Sequence, residues 1–345
     1  MSGRMTQKAI AKLAGVSQAT VSLVLNGNAD DRRRIPEQTR ERIQKVIAET
    51  GYVADPVARR MVNGRNNILG VFTYEPAFPS AQADFFAPFL FGIEEAAQET
   101  GYDLLLMTSA GRGADGRKQI FSETNRLRLA DGCIVLGRQF DADELAKLVR
   151  GDFPFVAVGR RDNAGGPVPY VGADYATATA KLVEKAMALG HVKFAYVGPN
   201  IGAESTVDRW TGFKRGMADA GELVLHDPKV EIDPEDFLTA IQSLGATIVF
   251  LTELADAIPL KRAAIARGMS VPGDLSIVVL GSHIRPGDTV TNFTTYAVPR
   301  EEMARKATLA LIARLEGRAE LEQTLLCCEQ VAGETLGPIK PKSIS

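Results

Sequence analysis

The sequence predicts a small all-helical region at its start, followed by a long α/β body with two doubly wound parallel sheets. Apolar residues recur at helical spacing up to about residue 64, and from Ile68 short apolar strands alternate with amphipathic helices. The chain of 345 residues is too long for one simple core. Residues 1–65 hold 12 Lys/Arg against 6 Asp/Glu, whereas the rest holds 28 against 36. A basic head on an acidic body indicates that the head contacts a polyanion.

The composition is that of an ordinary soluble protein, with 45% hydrophobic and 24% charged residues. No apolar stretch approaches the length of a membrane span and no signal peptide is recognisable, so we expect a cytosolic protein without membrane contact. Cys133, Cys327 and Cys328 lack metal-ligand spacing, and the neighbouring pair is expected to alternate across a strand. We expect no metal and no cofactor.

Residues 6–26 carry the pattern of two short helices joined by a tight turn. Gly15 permits the turn and Ser17 can cap the second helix. The apolar faces comprise Ile10, Leu13 and Ala14, then Val21, Val24 and Leu25. Such a pair is a helix-turn-helix, whose second helix enters the DNA major groove. Its outer side offers short polar groups that suit base edges, at Ser17, Gln18, Ala19, Ser22 and Asn26. An ordinary helical hairpin with a polar face explains the spacing equally well.

A third helix and a short linker follow. Pro36 suits the first helical position, Ile43 lies on the packing face with Val46 and Ile47, and Gly51 ends the helix. Arg32 to Arg34 precede it, either as phosphate contacts or as a solvated charge run. Residues 55–64 form a second short pattern, from an Asp-Pro start to a closing Gly. A helix this short forms only when something packs against it. It is therefore a linker that can couple DNA contact to the body.

The body predicts two sheets in series. Its helices are expected near Phe85–Thr100, Arg117–Leu129, Asp143–Val149, Asp174–Leu189, Asp208–Ala220, Glu235–Leu244, Ala255–Arg267 and Arg300–Glu316. Its strands are expected at Ile68–Phe72, Asp103–Met107, Gly132–Leu136, Phe155–Val158, Phe194–Val197, near Val230, Thr247–Leu251, Ser276–Leu280 and Leu325–Glu329. Parallel sheets covered on both faces leave a ligand cleft at the carboxyl ends of their strands.

Several short motifs in a fixed order resemble the LacI/GalR (lactose-repressor/galactose-repressor) family of bacterial transcription factors over nearly the whole chain. The matching residues are Ala14-Gly15-Val16-Ser17, Thr20-Val21-Ser22, Thr39-Arg40, Gly51-Tyr52, Ala58-Arg59, Leu189-Gly190-His191, Arg209, Gly212-Phe213, Val271-Pro272, Asp274 and Thr294-Thr295. The resemblance favours the helix-turn-helix over the hairpin and implies a periplasmic-binding-protein-like effector domain. The implied domains are 1–52 for DNA binding, 53–67 for the hinge, and 68–345 for the effector and dimerisation. The last divides into subdomains of about 68–169 with 297–326, and 170–296 with 327–345.

The resemblance also implies a homodimer, or a higher oligomer, on a near-palindromic double-stranded DNA operator. Met61 takes the position of a leucine that opens a base step in the family, and a plain dimer contact is the alternative. Leu23 replaces a frequent arginine, which removes a guanine-reading side chain. Contacts to phosphate fix position rather than sequence. The expected DNA-binding residues are Thr6, Ser17, Gln18, Ala19, Thr20, Ser22, Leu23, Asn26, Tyr52, Ala58 and Met61.

A small-molecule effector in the cleft is the second partner that the resemblance implies. We expect Phe86 to stack on it, with Phe85 beside it, although some of the neighbouring rings belong to a core. Ser205 and Arg209 match family contacts, whereas an isolated arginine would ordinarily be solvated.

Two positions depart from the family. Glu253 stands where an Asn-Asp pair is usual, and His283 lies near a missing aspartate; both are candidate replacements. Loss of that carboxylate weakens the inference of a sugar and leaves open a modified sugar, a nucleoside-like ligand or an acid paired with Arg209.

The expected mechanism is a population shift in which an effector in the cleft changes the relative angle of the two subdomains and thereby moves the start of the hinge helices. Release of DNA by the effector and strengthening of DNA binding are both open. Enzymes and secreted solute-binding proteins are the rival classes. The sequence has no phosphate loop, no Gly-x-Ser-x-Gly and no metal cluster, which disfavours an enzyme. The basic head and the absence of a recognisable signal peptide disfavour a secreted binding protein.

Overall fold

The computed structural model describes residues 5–26, 30, 33–53, 65–75, 83–108, 111, 118–121, 126–151, 153–217, 223–226, 233–281, 291–318 and 323–339. The chain forms two compact units. The head unit comprises residues 1–68 with 129–131, and the body unit comprises 69–128 with 132–345. The proposed hinge helix at 55–64, with Ala58 and Met61, lies outside the described residues, as does His283.

Three helices lie in the described part of the head unit: α1 (Gln7–Ala14), α2 (Gln18–Asn26) and α3 (Glu37–Thr50). Gly15, at φ 64°, ends α1 in the left-handed conformation that glycine adopts without strain. The core is formed by Ile10, Ala11, Ala14, Val21, Val24, Ile35 and Ile43. Leu13, which the sequence pattern places on the apolar face with Ile10 and Ala14, lies outside this core. It is 60% exposed because Ala11 takes the inward position beside Ile10 and Ala14.

In the described part of the body unit, ten strands form two sheets and seven helices cover them. In chain order the elements of the first half are β1 (Ile68–Thr73), α4 (Ala83–Thr100), β2 (Asp103–Leu106), β3 (Gly132–Leu136), α5 (Ala142–Arg150), β4 (Phe155–Val158), β5 (Tyr170–Ala173) and α6 (Tyr175–Ala188). Those that follow are β6 (Phe194–Val197), α7 (Glu204–Met217), β7 (Leu223–His226), α8 (Pro234–Ser243), β8 (Ile248–Leu251), α9 (Leu254–Ala266) and β9 (Ser276–Val279). The chain ends with β10 (Thr295–Ala297), α10 (Arg300–Leu315), β11 (Gln323–Leu326) and β12 (Glu329–Val331), and β10 and β12 pair separately from the layered sheets.

The first sheet has six strands in the order β2-β1-β3-β4-β5-β11. Pairing is parallel from β1 through β3, β4 and β5 to β11. One face packs against α4 and α10, and the other against α5 and the segment around Ile120. Gly92 lets α4 touch the backbone of α10 at Glu301, where a Cβ atom would clash.

The second sheet has four parallel strands in the order β7-β6-β8-β9. Helices α6 and α7 cover one face, and α8 and α9 cover the other. Gly212 of α7 meets the backbone of α6 at Ala176, which again leaves no room for a side chain. Two parallel sheets with both faces covered confirm the predicted α/β architecture.

The strand β5 corrects one predicted boundary. Residues 170–173 belong to the first sheet, between β4 and β11, although they had been assigned to the second subdomain. The sequence signal is short, and Gly172 is needed there because a Cβ would meet the backbone of Arg160. The strands β10 and β12 had not been predicted as a pair; the final strand predicted near Leu325–Glu329 is two strands.

The predicted helix at Arg117–Leu129 is wrong in its described parts. Ile120 and Phe121 donate their backbone amides to the Glu144 carboxylate at 2.9 and 3.2 Å, which replaces helical hydrogen bonds. Within the described residues 118–121 and 126–129, the helical element is a 3-10 turn at Leu127–Leu129. Ile120 and Leu127 are nevertheless buried.

Three smaller expectations also change. Helix α7 begins at Glu204, one turn before the predicted Asp208. The strand expected near Val230 falls on undescribed residues, and β7 lies just before it. Cys327 and Cys328 lie in the connection between β11 and β12 and not within a strand; Cys327 is exposed and Cys328 half-buried.

Within the described residues, no single helix is both long and apolar enough to cross a bilayer, and only α1 and α2 taken together, bent by 107°, satisfy the criteria of length and composition.

Candidate functional site

The outer surface of α2 is the first candidate site. Ser17, Gln18 and Ala19 are exposed, Thr20 and Ser22 are half-buried, and Leu23 is 42% exposed. Inward-facing Val21 and Val24 anchor the helix, so this polar side is left for a partner. The predicted DNA-facing residues 17–20 and 22–23 therefore lie on one accessible segment, and Asn26 ends that helix.

Side-chain caps hold the two helices of this site. The Ser17 Oγ accepts the Thr20 backbone amide at 3.1 Å and lies 2.8 Å from the Thr20 hydroxyl. The Thr6 hydroxyl accepts the Ala9 amide at 3.2 Å and caps α1. Both caps leave hydroxyl lone pairs at exposed helix starts, where backbone amides also favour anions.

Arg42 is a head residue that sequence reasoning missed. Its Nε donates to the Ala14 carbonyl at 2.9 Å and ties α3 to the turn between α1 and α2. In the sequence, Arg42 is one of several charged residues in the same helix, and nothing in the pattern distinguishes it from them. Tyr52 is half-buried and packs against the head core, and its amide donates to the Ile47 carbonyl at 3.3 Å.

A cleft of about 320 Å³ in the body unit is the second candidate site. Its walls come from residues that directly follow strands of both sheets, such as Gly137 after β3, Gly159 after β4 and Thr252 after β8. The carboxyl ends of parallel strands meet at one edge of each sheet, where ligands bind in open α/β folds. The cleft lies where the sequence predicts one.

Four predicted effector residues line this cleft: Phe85, Ser205, Arg209 and Glu253. Phe86 does not. It is 1% exposed within the core under α4, so the expectation that Phe86 stacks on a ligand is wrong in this geometry. Successive helical residues point about 100° apart, and Phe85 takes the direction of the cleft while Phe86 takes that of the sheet.

Arg209 is held rigidly in the cleft wall. Its Nε donates to the Leu280 carbonyl at 2.8 Å and its Nη1 to the Ser205 carbonyl at 2.9 Å. The guanidinium lies 4.0 Å from the centre of the Tyr175 ring. These contacts leave part of the planar donor fork free toward the cleft without an ion pair to a carboxylate of the described residues.

Arg160 and Arg161 follow β4 and are cleft residues that sequence reasoning missed. Arg160 forms ion pairs with Asp162 and with Asp208, whose carboxylate lies 2.8 Å from its Nε. Arg161 is 4% exposed, and its Nη1 lies 3.0 Å from the Glu204 carboxylate. Burial lowers the pKa of Arg161, while Glu204 opposes that effect. The available signal was their position immediately after a buried strand.

Arg300 and Arg138 flank the Phe85 ring. Their guanidinium carbons lie 5.5 and 4.6 Å from the ring centre, within cation–π distance. Arg300, at the start of α10, donates to the Gly281 carbonyl at 3.3 Å, and its Nε is buried without a hydrogen-bond partner. Among the described residues, no group of His, Cys, Asp and Glu could hold a metal ion.

The comparisons with known proteins match both units of the chain. The family model for bacterial regulatory proteins of the lacI family matches residues 6–55. The periplasmic binding proteins and sugar-binding domain of the LacI family match residues 77–247, and a periplasmic-binding-protein-like domain matches residues 183–336. The chain belongs to the LacI family.

Two curated relatives of this LacI-family chain are named as sugar operon repressors. The ribose operon repressor of Haemophilus influenzae is 27% identical over 340 residues, which cover 93% of this chain and 95% of the relative. The sucrose operon repressor of Klebsiella pneumoniae is 31% identical over 218 residues, covering 63% of this chain and 62% of the relative.

Solved structures agree in fold. The lac repressor dimer bound to operator and the anti-inducer ONPF has a TM-score of 0.74 at 19% identity, over 96% of this chain and 99% of that one. A complex of the transcriptional regulator CelR with cellobiose has a TM-score of 0.60 at 22% identity, over 96% and 100%. A regulator from Enterococcus faecium with bound ribose has a TM-score of 0.60 at 20% identity, over 79% and 100%.

Proposed function

We propose that this LacI-family chain is a cytoplasmic DNA-binding transcriptional repressor whose affinity for its operator is controlled by a small molecule in the cleft. The observation that carries the proposal is the accessible side of α2 and its cap, formed by residues 17–20, 22 and 23. It presents an amide, hydroxyls and an apolar side chain on a helix whose other face is buried. These groups suit base edges and thymine methyl groups in a major groove.

The proposed assembly is a homodimer on a near-palindromic operator. Two heads related by a two-fold axis would occupy successive major grooves, and Met61 of each linker would enter the central minor groove. The effector acts by linkage: a ligand that prefers one conformation of the dimer changes operator affinity by the same factor by which operator changes ligand affinity.

The effector belongs to the sugars or sugar-like metabolites. Relatives are named for ribose and sucrose operons, and structural neighbours hold ribose and cellobiose. Support from this chain is the polar cleft with Ser205, Arg209 and Glu253 on its wall. The cleft acts here by binding, and no catalytic role is assigned to its residues.

Selection of bound fragments from genomic DNA tests the proposal. The full chain should retain a small set of fragments at nanomolar concentration, with affinity that falls steeply as salt rises from 50 to 200 mM. Gln18→Ala should lose that preference and keep the weak binding to bulk DNA. Uniform retention of all fragments by the native chain would contradict the proposal.

A further inference from the structure

Positive charge is distributed unevenly in the cleft of the body unit. Five arginines contribute to its wall. Arg160 and Arg161 form ion pairs with carboxylates of the same wall. Arg138, Arg209 and Arg300 contact carbonyls and aromatic rings, and none forms an ion pair with a carboxylate in the part of the chain that the structure describes.

We infer that the cleft binds a polyhydroxylated anion, meaning a sugar acid or a sugar phosphate, with its charged group held by Arg300 and Arg209 and by Arg138 at the rim. The inference rests on the proposed role of the cleft as the effector site. It goes beyond that role because it states the charge of the effector.

Arg300 supplies the first independent argument. Its buried Nε lacks a hydrogen-bond partner, as does that of Arg161, but within the described residues only Arg161 of the two has a carboxylate partner, Glu204. An unpaired buried donor costs about 1–3 kcal/mol, and more when it is charged. Burial lowers the pKa of Arg300, and the like charges of Arg209 and Arg138 lower it further. An incoming carboxylate or phosphate satisfies the donor and cancels the repulsion in the same step.

The aromatic rings supply the second argument. Phe85 lies beneath the guanidinium groups of both Arg138 and Arg300, and Tyr175 lies 4.0 Å from that of Arg209. Rings hold the cations in place without neutralising them, whereas the carboxylates beside Arg160 and Arg161 do neutralise them. Carboxylates therefore neutralise the part of the wall at Arg160 and Arg161, whereas the part at Arg138, Arg209 and Arg300 stays positively charged.

The rest of the wall fits a polyhydroxylated ligand. Ser205, Thr206, Thr252 and Glu253 provide hydroxyl and carboxylate groups that hydrogen-bond sugar hydroxyls. A cleft of about 320 Å³ lies at the lower end of the usual size of small-ligand sites and accommodates a monosaccharide derivative. A neutral sugar would use these groups and leave the three arginines without an ion pair to a carboxylate of the described residues.

Calorimetry on the full-length protein with matched probes tests the inference. The probes are D-glucose, D-gluconate and D-glucose 6-phosphate, then D-ribose, D-ribonate and D-ribose 5-phosphate. We expect at least one anion to bind at least 10-fold more tightly than its neutral parent, with affinity that falls as salt rises. Preference within the anions separates the carboxylate source from the phosphate source.

Two variants and a matched control locate the charge. Arg300→Gln should weaken binding of that anion about 10- to 100-fold and leave binding of the neutral parent within about two-fold, while Arg300→Lys should restore part of it. Arg305→Gln is the control, because Arg305 lies on the same helix in exposed ion pairs with Glu95 and Glu99. It should leave anion binding unchanged, and thermal unfolding of each variant reports that the body is folded.

The outcomes separate the inference from the proposed function. Binding of neutral sugars at least as tightly as their anions, or of none of the four anions, overturns the anionic effector even if fragment selection shows an operator. Equal loss of affinity in Arg300→Gln and Arg305→Gln overturns it as well. If the chain binds an anion but selects no DNA fragment, the inference of an anionic ligand is upheld and the proposed repressor function is rejected.

Discussion

The head unit and the body unit use their residues in opposite ways. The head buries seven small or medium apolar residues and keeps its candidate site on the outside of one helix. The body buries both faces of two sheets and gathers its candidate site inside a cleft from loops far apart in sequence. A site on one helix is a local property of the chain, whereas a cleft is a property of topology.

Removal of a core side chain should break the head far more easily than the body. Ile43→Ala, at a fully buried position, should cost about 2–5 kcal/mol, comparable with the whole stability of so small a core. Leu238→Ala is the matched change in the body, where the same loss is a smaller fraction. Hydrogen exchange should show global opening of residues 5–53 in the first variant and a folded body in both. Equal protection of the head from hydrogen exchange in the two variants would contradict the expectation that the head is the less stable unit.

Replacement of Arg209 should impair the response to the effector and leave DNA binding intact. Arg209→Ala removes the buried guanidinium and should weaken effector binding about 10- to 150-fold, as expected for a charge-assisted contact. Operator binding without effector should persist, as measured by gel shift. A normal effector response would place the effector elsewhere.

Loss of the Gln18 side-chain amide on α2 should have the opposite effect, because it impairs recognition of DNA and not the response to the effector. Gln18→Ala should reduce discrimination between operator and bulk DNA by about 1–3 kcal/mol, since each good base contact contributes about that much. Lys12→Ala, an exposed basic residue at the end of α1, provides the comparison. It should weaken binding to all sequences alike and reduce the salt dependence. Equal loss of specific and bulk binding in Gln18→Ala would argue against base contact.

Removal of the α2 cap should have a moderate effect on the head alone. Ser17→Ala deletes the acceptor of the Thr20 amide and should cost about 0.5–2 kcal/mol. Denaturation of the head followed by circular dichroism should shift by that amount, while Ser17→Asp should retain most of the stability. No change in Ser17→Ala would show that the cap is dispensable.

The smallest expected effect is the pH response of the body at His191. Burial lowers the pKa of His191 below its usual 6.5, and its Nε2 lies 3.0 Å from the Gly337 carbonyl that it contacts. The unfolded chain therefore takes up this proton at higher pH than the folded body does. The free energy of unfolding should fall as pH drops from 7.5 to 5.5, and His191→Gln should flatten that dependence. An identical pH profile in the variant would remove His191 as its source.

Prediction from sequence succeeded where a pattern is local and failed where distant backbone intervened. Alternating apolar runs and helices predicted the parallel strands from β1 to β9 apart from β5 and β7. The strand β5 was missed because its four residues are short and derive their pairing from β4 and β11. The helix expected at 117–129 failed because Glu144, on another element, takes the amides of Ile120 and Phe121.

The candidate cleft shows the same division. Position after a strand and resemblance to a family pointed to Ser205, Arg209 and Glu253. Neither could separate Phe85 from Phe86, because neighbouring residues of one helix differ only in the direction that packing gives them.

The sequence by itself determined the basic three-helix head, the exposed polar side of α2, the layered α/β body and membership of a family. These follow from periodicity, capping and charge, which act over a few residues at a time. Only the tertiary structure decided which arginines of the cleft are neutralised and which are free. Electrostatic pairing depends on distances of a few ångströms between groups that are far apart in sequence, such as Arg161 and Glu204, which are 43 residues apart.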